Sequence, residues 1–229
     1  MSTRALLSRR SFAARLAAAA GLLVVPACAT MPSLTLEKAV RRLLLRSSER
    51  AFTRLTARGG TWDQAVAQVG LPRLLGVRGE LLAGLLSAPP VKARLEGALV
   101  DMAAEGSARA VPVVTDAVRV IGIRDARAIL RGGPSAATAY LRSAMGPRLI
   151  EVLAPDLGAA LRMLDDPRVG DALAMLAGFD IASASRSFAW EAEDVIWRTI
   201  GQEEAAIRAD PASLGDPLLA VVLAGANSR

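Results

Sequence analysis

Apolar residues recur every three to four positions through most of the chain, the repeat of a helix with one buried face. Leu36, Val40, Leu43 and Leu44 share one such face, while Arg41, Arg42 and Arg46 fall elsewhere. Gly59-Gly60 ends this element, and Thr61 is placed to cap a short helix around Ala65 to Val69. Pro72 suits a first helical turn, with Leu74, Leu75, Leu81, Leu82, Leu85 and Leu86 as core candidates, although Gly76 and Gly79 weaken that segment. Pro89-Pro90 is the clearest punctuation in the first half. After it, Val91, Leu95, Leu99 and Met102 keep the helical spacing for three turns. The run from Val111 to Ile121 suits a strand as well as a helix, because Val118 and Val120 alternate; its neighbours favour helix.

The second half repeats the pattern with sharper signals. Asp125 is placed to cap a helix start, Gly132 suits a left-handed turn at its end, and Pro134 opens the next helix. That helix carries Ala137, Tyr140, Leu141 and Ala144 and stops near Gly146-Pro147. Leu149, Ile150, Leu153, Leu157, Leu161 and Leu164 follow, with Pro155 predicting a kink or break. Beyond Asp165-Asp166-Pro167, Val169, Leu173, Leu176 and Phe179 mark another helix. The last long helix is expected from about Phe188 to Arg208, with Phe188, Val195, Ile196, Ile200 and Ile207 inward and Trp190 and Trp197 flanking them. Asp210-Pro211 ends it, and Pro217 to Leu223 reads as a short apolar tail. No repeat of 20–50 residues is visible, and no linker divides the chain. The expectation is therefore all-α, a single compact multi-helix, bundle-like domain.

Composition agrees with this pattern. The 229 residues are 52% hydrophobic and only 3% aromatic, and they are rich in Ala, Leu and Arg. These types favour helix, while the scarce Thr, Tyr and Phe are the types enriched in strands. The net charge of +6 and sequence pI near 10.8 at first suggest nucleic acid. However, Arg4, Arg9, Arg10 and Arg15 precede Cys28 and no acid does, so the remaining 24 bases face 22 acids, a net of +2. Those charges are interspersed, and no nucleic-acid partner is expected. The chain has no His, which excludes Ser-His-Asp and Cys-His catalysis and His-ligated zinc. Its one Cys, Cys28, excludes an intrachain disulfide. No cofactor is expected.

The N-terminus has the three parts of an export leader. A basic stretch ends at Arg10, an apolar stretch runs from about Leu16 to Val25, and Ala27-Cys28-Ala29 supplies small residues. The apolar part is about half of the roughly 20 residues needed to span a bilayer. Arg9 and Arg10 followed by Phe12 resemble the twin-arginine export motif; the general secretory route is the alternative. Val25-Pro26-Ala27-Cys28 resembles a lipoprotein signal, which makes Cys28 the expected lipidation site and the first mature residue. The expected division is 1–27 signal peptide, 28–33 tether and 34–229 helical domain. Ala29 carries no inner-membrane retention signal, so the periplasmic face of the outer membrane is the expected location, with a soluble periplasmic form as the alternative. The membrane surface, reached through a lipid anchor, and an envelope protein are the expected partners.

Asp125-Ala126, Ala128-Ile129-Leu130, Gly132-Gly133 and Ala136-Ala137-Thr138, followed by Tyr140-Leu141-Arg142, resemble the signature of the family called domain of unknown function 4197. Glu203-Glu204, Ile207-Arg208 and Pro211 resemble its C-terminal motif, and Met102 and Glu105 fit its earlier helix. The family usually has Phe where Leu141 stands. The resemblance covers roughly residues 90–212 and implies an exported helical protein; it implies no reaction.

Two constellations could carry function. At the Gly132-Gly133 corner, a helix N-terminus presents free N–H groups that can hold an anion, and Thr138, Tyr140 and Arg142 lie close by. The competing reading, which the spacing favours, is chain reversal with polar groups capping neighbouring helices. The second constellation is acidic: Glu191, Asp194, Glu203 and Glu204. Glu191 and Asp194 share a helix face and could bind calcium or act as a carboxylate pair, but a solvated face is favoured. No catalytic residue and no metal ligand is assigned. The sequence favours a non-enzymatic envelope lipoprotein whose helical domain binds a protein partner or a small apolar ligand; the alternative is a carboxylate-dependent hydrolase acting on an envelope polymer.

Overall fold

The computed structural model describes residues 32–57, 59–74, 89–154 and 181–227. Cys28, Arg9, Arg10, Phe12 and the whole expected leader lie outside them, as do the expected core leucines from Leu75 to Leu86 and the helix expected from Val169 to Phe179. Every regular element among the described residues is helical. The elements are α1 (Ser33–Leu55), α2 (Thr61–Val69), α3 (Leu71–Leu74), α4 (Pro89–Val120), α5 (Ala126–Arg131), α6 (Ala136–Met145), α7 (Arg148–Leu153), α8 (Ile181–Ala209), a 3-10 turn (Pro211–Leu214) and α9 (Pro217–Asn227).

Two long helices, α1 and α8, form the centre, with α4 packed along α1. In α1, Leu36, Ala39, Val40, Leu43, Leu44, Ser47, Ser48, Ala51, Phe52 and Leu55 are all buried, a wide stripe at three- and four-residue spacing. Ser47 and Ser48 lie within that stripe. Small side chains there let neighbouring helices approach, and the Ser47 hydroxyl returns to the Leu43 carbonyl of its own helix. In α8 the buried row runs through Phe188, Ala192, Val195, Ile196, Ile200 and Ile207. The direction of the α1–α8 pair follows from the ion pairs. Arg54, near the end of α1, pairs with Glu203 of α8, while Arg42, nearer its start, pairs with Asp216 in the segment that follows α8, so the chain runs along α8 and beyond it back toward the start of α1, antiparallel to it.

The ambiguous run from Val111 resolves as the end of α4, 32 residues long, with Pro112 inside it. Val114 and Val118 are fully buried and four apart, which is helical rather than alternating spacing. Pro112 lacks the N–H that would reach back one turn and is tolerated on the exposed side. The C-terminal end of α4 is satisfied by side chains: Arg41 donates to the Ile121 carbonyl at 2.8 Å, and the Tyr140 hydroxyl donates to that of Gly122. Further along, α7 stops at Leu153, before Pro155. The expected short tail is a helix, α9, capped by Asp216 through the Leu218 and Leu219 N–H groups at 3.0 and 3.3 Å. Its Leu219, Val222 and Leu223 close the core. Trp197 is buried among the core residues, while Trp190 is exposed.

Candidate functional site

The corner singled out by sequence lies where α5, α6 and α8 meet. Asp125 caps α5 as expected, accepting from the Ala128 N–H at 2.9 Å. Gly132 requires a correction. Its backbone is extended (φ −68°, ψ −176°), not left-handed, and the position needs glycine for space. A Cβ there would stand 2.6 Å from the Ala136 Cβ, well inside contact distance. Gly133 faces no such constraint, since no atom of the described residues lies within 4 Å of the corresponding position.

The anion at the start of α6 is supplied by the chain itself. Glu204 is fully buried. Its Oε1 accepts from the Ala137 N–H at 3.0 Å, and its Oε2 accepts from the Thr138 N–H and hydroxyl, both at 2.7 Å. These N–H groups belong to the first turn, where no helical acceptor exists and the helix dipole favours negative charge. One turn further along α8, Arg208 donates to Glu204 Oε1 at 2.8 Å. It also donates to the Leu130 and Ile129 carbonyls at 2.8 and 3.1 Å, at the end of α5, where exposed carbonyls favour a cation. One buried ion pair therefore clamps the end of one short helix and the start of the next, and fixes the corner against α8. Thr138 serves this clamp, and Tyr140 reaches the opposite way, to Gly122.

The acidic candidates do not converge. Glu191 pairs with Arg73 of α3 at 2.5 Å. Asp194 lies between Arg142 at 3.2 Å and Arg198 at 2.7 Å. Burial of the Asp194 carboxyl pushes its pKa up, but hydrogen bonds and charge from Arg198 and Arg142 outweigh this and hold it below the usual carboxylate range. Glu203 takes Arg54 at 2.6 Å and Arg50 at 3.7 Å, both from α1. Among the described residues, no group of three or more metal-ligating side chains comes together.

Glu193, which sequence reading passed over, is buried and takes Arg142 at 2.6 Å. A signal for it existed. Glu193, Ile196 and Ile200 are spaced as one inward stripe, so an acid at that position required a buried partner.

Between α6 and α8 an open cleft of about 420 Å³ remains. Thr138, Ala139, Trp197, Gly201 and Ala205 line it, and Arg142, Asp194, Arg198, Ser135 and Gln202 supply its polar groups. Gly201 permits the close approach of the two helices, because a Cβ there would meet the Ser135 Cβ at 3.2 Å. Among the described residues the buried indole N–H of Trp197 finds no hydrogen-bond partner, a cost of about 1–3 kcal/mol when left unmet.

A family model described as "Protein of unknown function (DUF4197)" matches residues 30–224. No curated protein and no solved structure is significantly similar to the chain.

Proposed function

The chain belongs to the family of proteins of unknown function DUF4197, and from that premise we propose that it is an exported, lipid-anchored envelope protein that works by binding rather than by catalysis. The observation that carries the binding reading is the state of the acids on α8. Glu191, Glu193, Asp194, Glu203 and Glu204 each face an arginine. General acid–base work calls for a carboxyl poised to exchange a proton near the working pH. At Asp194 burial raises the pKa, but Arg198 and Arg142 outweigh it and hold that carboxyl below the usual carboxylate range. These pairs instead fix helices to one another and leave the α6–α8 cleft as a formed recess. Small residues line its floor and charges rim it, which suits a segment of a protein partner.

The compartment rests on the leader. Arg9, Arg10 and Phe12 are read as a twin-arginine motif and Cys28 as the acylated first residue of the mature chain, on the periplasmic side of the outer membrane. Among the described residues, no helix is long and apolar enough to cross a membrane; in this reading the acyl chains on Cys28 are the attachment.

Two measurements test this. The intact mass of protein purified from the native envelope should equal residues 28–229 plus acyl chains; a full-length chain free in the cytosol overturns the export reading. A photo-crosslinker at the exposed Ala139, inside the cleft, should yield a cross-linked product of discrete size, and Ala205→Trp, which fills the cleft from the other side, should abolish it. Unchanged cross-linking in that filled variant overturns the assignment of the cleft. Lipid in place of a protein on the crosslinker identifies a carrier.

A further inference from the structure

A lipid anchor on Cys28 would hold one end of the molecule close to the bilayer. Five peptide steps separate Cys28 from Ser33, so in any conformation the two lie within about 18 Å of each other. The start of α1 is therefore the end nearest the bilayer. Leu34 stands there, 68% exposed. Leu36, two residues on and turned to the other side of the helix, borders a shallow apolar recess with Leu130, Val222 and Ala226, and Arg127 and Arg131 form its rim. Arg127 and Arg131 are four apart on α5, so they share a face. Both are exposed, and no described acid forms an ion pair with either. Exposed Lys38 adds to this charge; half-buried Glu37 opposes it.

We propose that this end, formed by Leu34 at the helix start and by Arg127 and Arg131 around the recess that Leu36 borders, docks on an anionic phospholipid surface and holds the domain in a fixed orientation over the membrane. An exposed leucine enters the interface readily, and basic groups held near an anionic surface are attracted within a Debye length. Acyl chains alone leave a domain free to tilt; a second, charged contact removes that freedom. The antiparallel α1–α8 pair then places the far part of α8, with Trp190 and the Arg73–Glu191 pair, away from the bilayer.

The inference rests on the lipid-anchored reading only for the position of the anchor, and the experiment separates the two. Mature protein is purified from the envelope and its intact mass measured. An environment-sensitive fluorophore is attached to Leu34→Cys or, as the remote control, to Trp190→Cys. Acylation blocks Cys28; should its thiol prove free, the labels go into a Cys28→Ser background. Each protein is mixed with phosphatidylcholine vesicles, with or without a third of phosphatidylglycerol. The label at position 34 should brighten on the anionic vesicles while that at 190 stays unchanged. Arg127→Gln with Arg131→Gln should lower the docked-to-undocked ratio about 30-fold, at about fivefold per basic group, with the helical fold intact by circular dichroism.

Equal responses at both positions, or a position-34 response indifferent to anionic lipid, overturn the docking surface. A position-34 response that grows with protein concentration in lipid-free buffer also overturns it, in favour of contact between copies of the chain. A free Cys28 with these label responses intact overturns the anchor alone.

Discussion

Glu204 and Arg208 concentrate several demands in one pair of side chains. Each meets backbone groups at the end of a different short helix, and each neutralises the other in a place closed to water. Breaking such a pair costs far more than the pair contributes over an apolar substitute, because the survivor is left charged and unpaired. Glu204→Gln should therefore destabilise the fold by about 3–5 kcal/mol in denaturant titration. Adding Arg208→Met should recover only part of this, since the amide serves the Ala137 and Thr138 N–H groups less well than the carboxylate. Gly132 and Gly133 offer a sharper test, because they are adjacent and chemically identical. Gly132→Ala should lower stability by about 1–3 kcal/mol, as overpacking does, and Ala136→Gly should restore much of it. Gly133→Ala should stay within about 0.5 kcal/mol of the parent. Equal effects at the two positions would contradict the steric reading of Gly132.

Among the elements, α4 carries the clearest local conflict. Its inward stripe continues through Pro112, and burial of Val114 and Val118 outweighs the missing hydrogen bond. The proline is exposed, so Pro112→Ala should restore that bond and raise thermal stability, by up to about 3 kcal/mol. A lower melting temperature would show that the proline ring contributes packing. The short helices α5 and α6 depend on their surroundings in the opposite sense. Pieces of 6 and 10 residues are too brief to persist alone in water. They are held by α8, so the Glu204→Gln variant should show its fastest amide exchange in residues 126–145.

For the whole molecule, Asp216 is an acid that joins distant segments and shapes the response to pH. Asp216 ties the start of α9 to Arg42 of α1 at 3.0 Å. Burial of this carboxyl raises its pKa, but the Leu219 and Leu218 N–H groups and Arg42 outweigh this and hold it below the usual carboxylate range. A carboxyl depressed on folding contributes stability that is fully present above its unfolded pKa of about 3.9. That contribution is lost as pH falls through the lower folded value. Stability should thus be flat with respect to Asp216 near neutrality and lose its contribution below about pH 4. Asp216→Asn should flatten part of that fall in acid denaturation; an unchanged acid limb would contradict the role given to the pair.

Among the described residues, the sequence by itself determined the helical class, the ends of several helices and most inward faces, because spacing, proline and capping residues act within a few positions of one another; the start of α8 at Ile181, seven residues before the expected Phe188, was not among them. The sequence also pointed to the corner at Gly132-Gly133 and to the family. It could not say that the corner's anion is Glu204, that Gly132 is there for space, or that Glu191, Asp194 and Glu203 each belong to a different arginine. Those facts depend on contacts between residues up to 149 positions apart. Such contacts exist only once α8 has packed on α1 and α6, and burial then dictates which charges must meet.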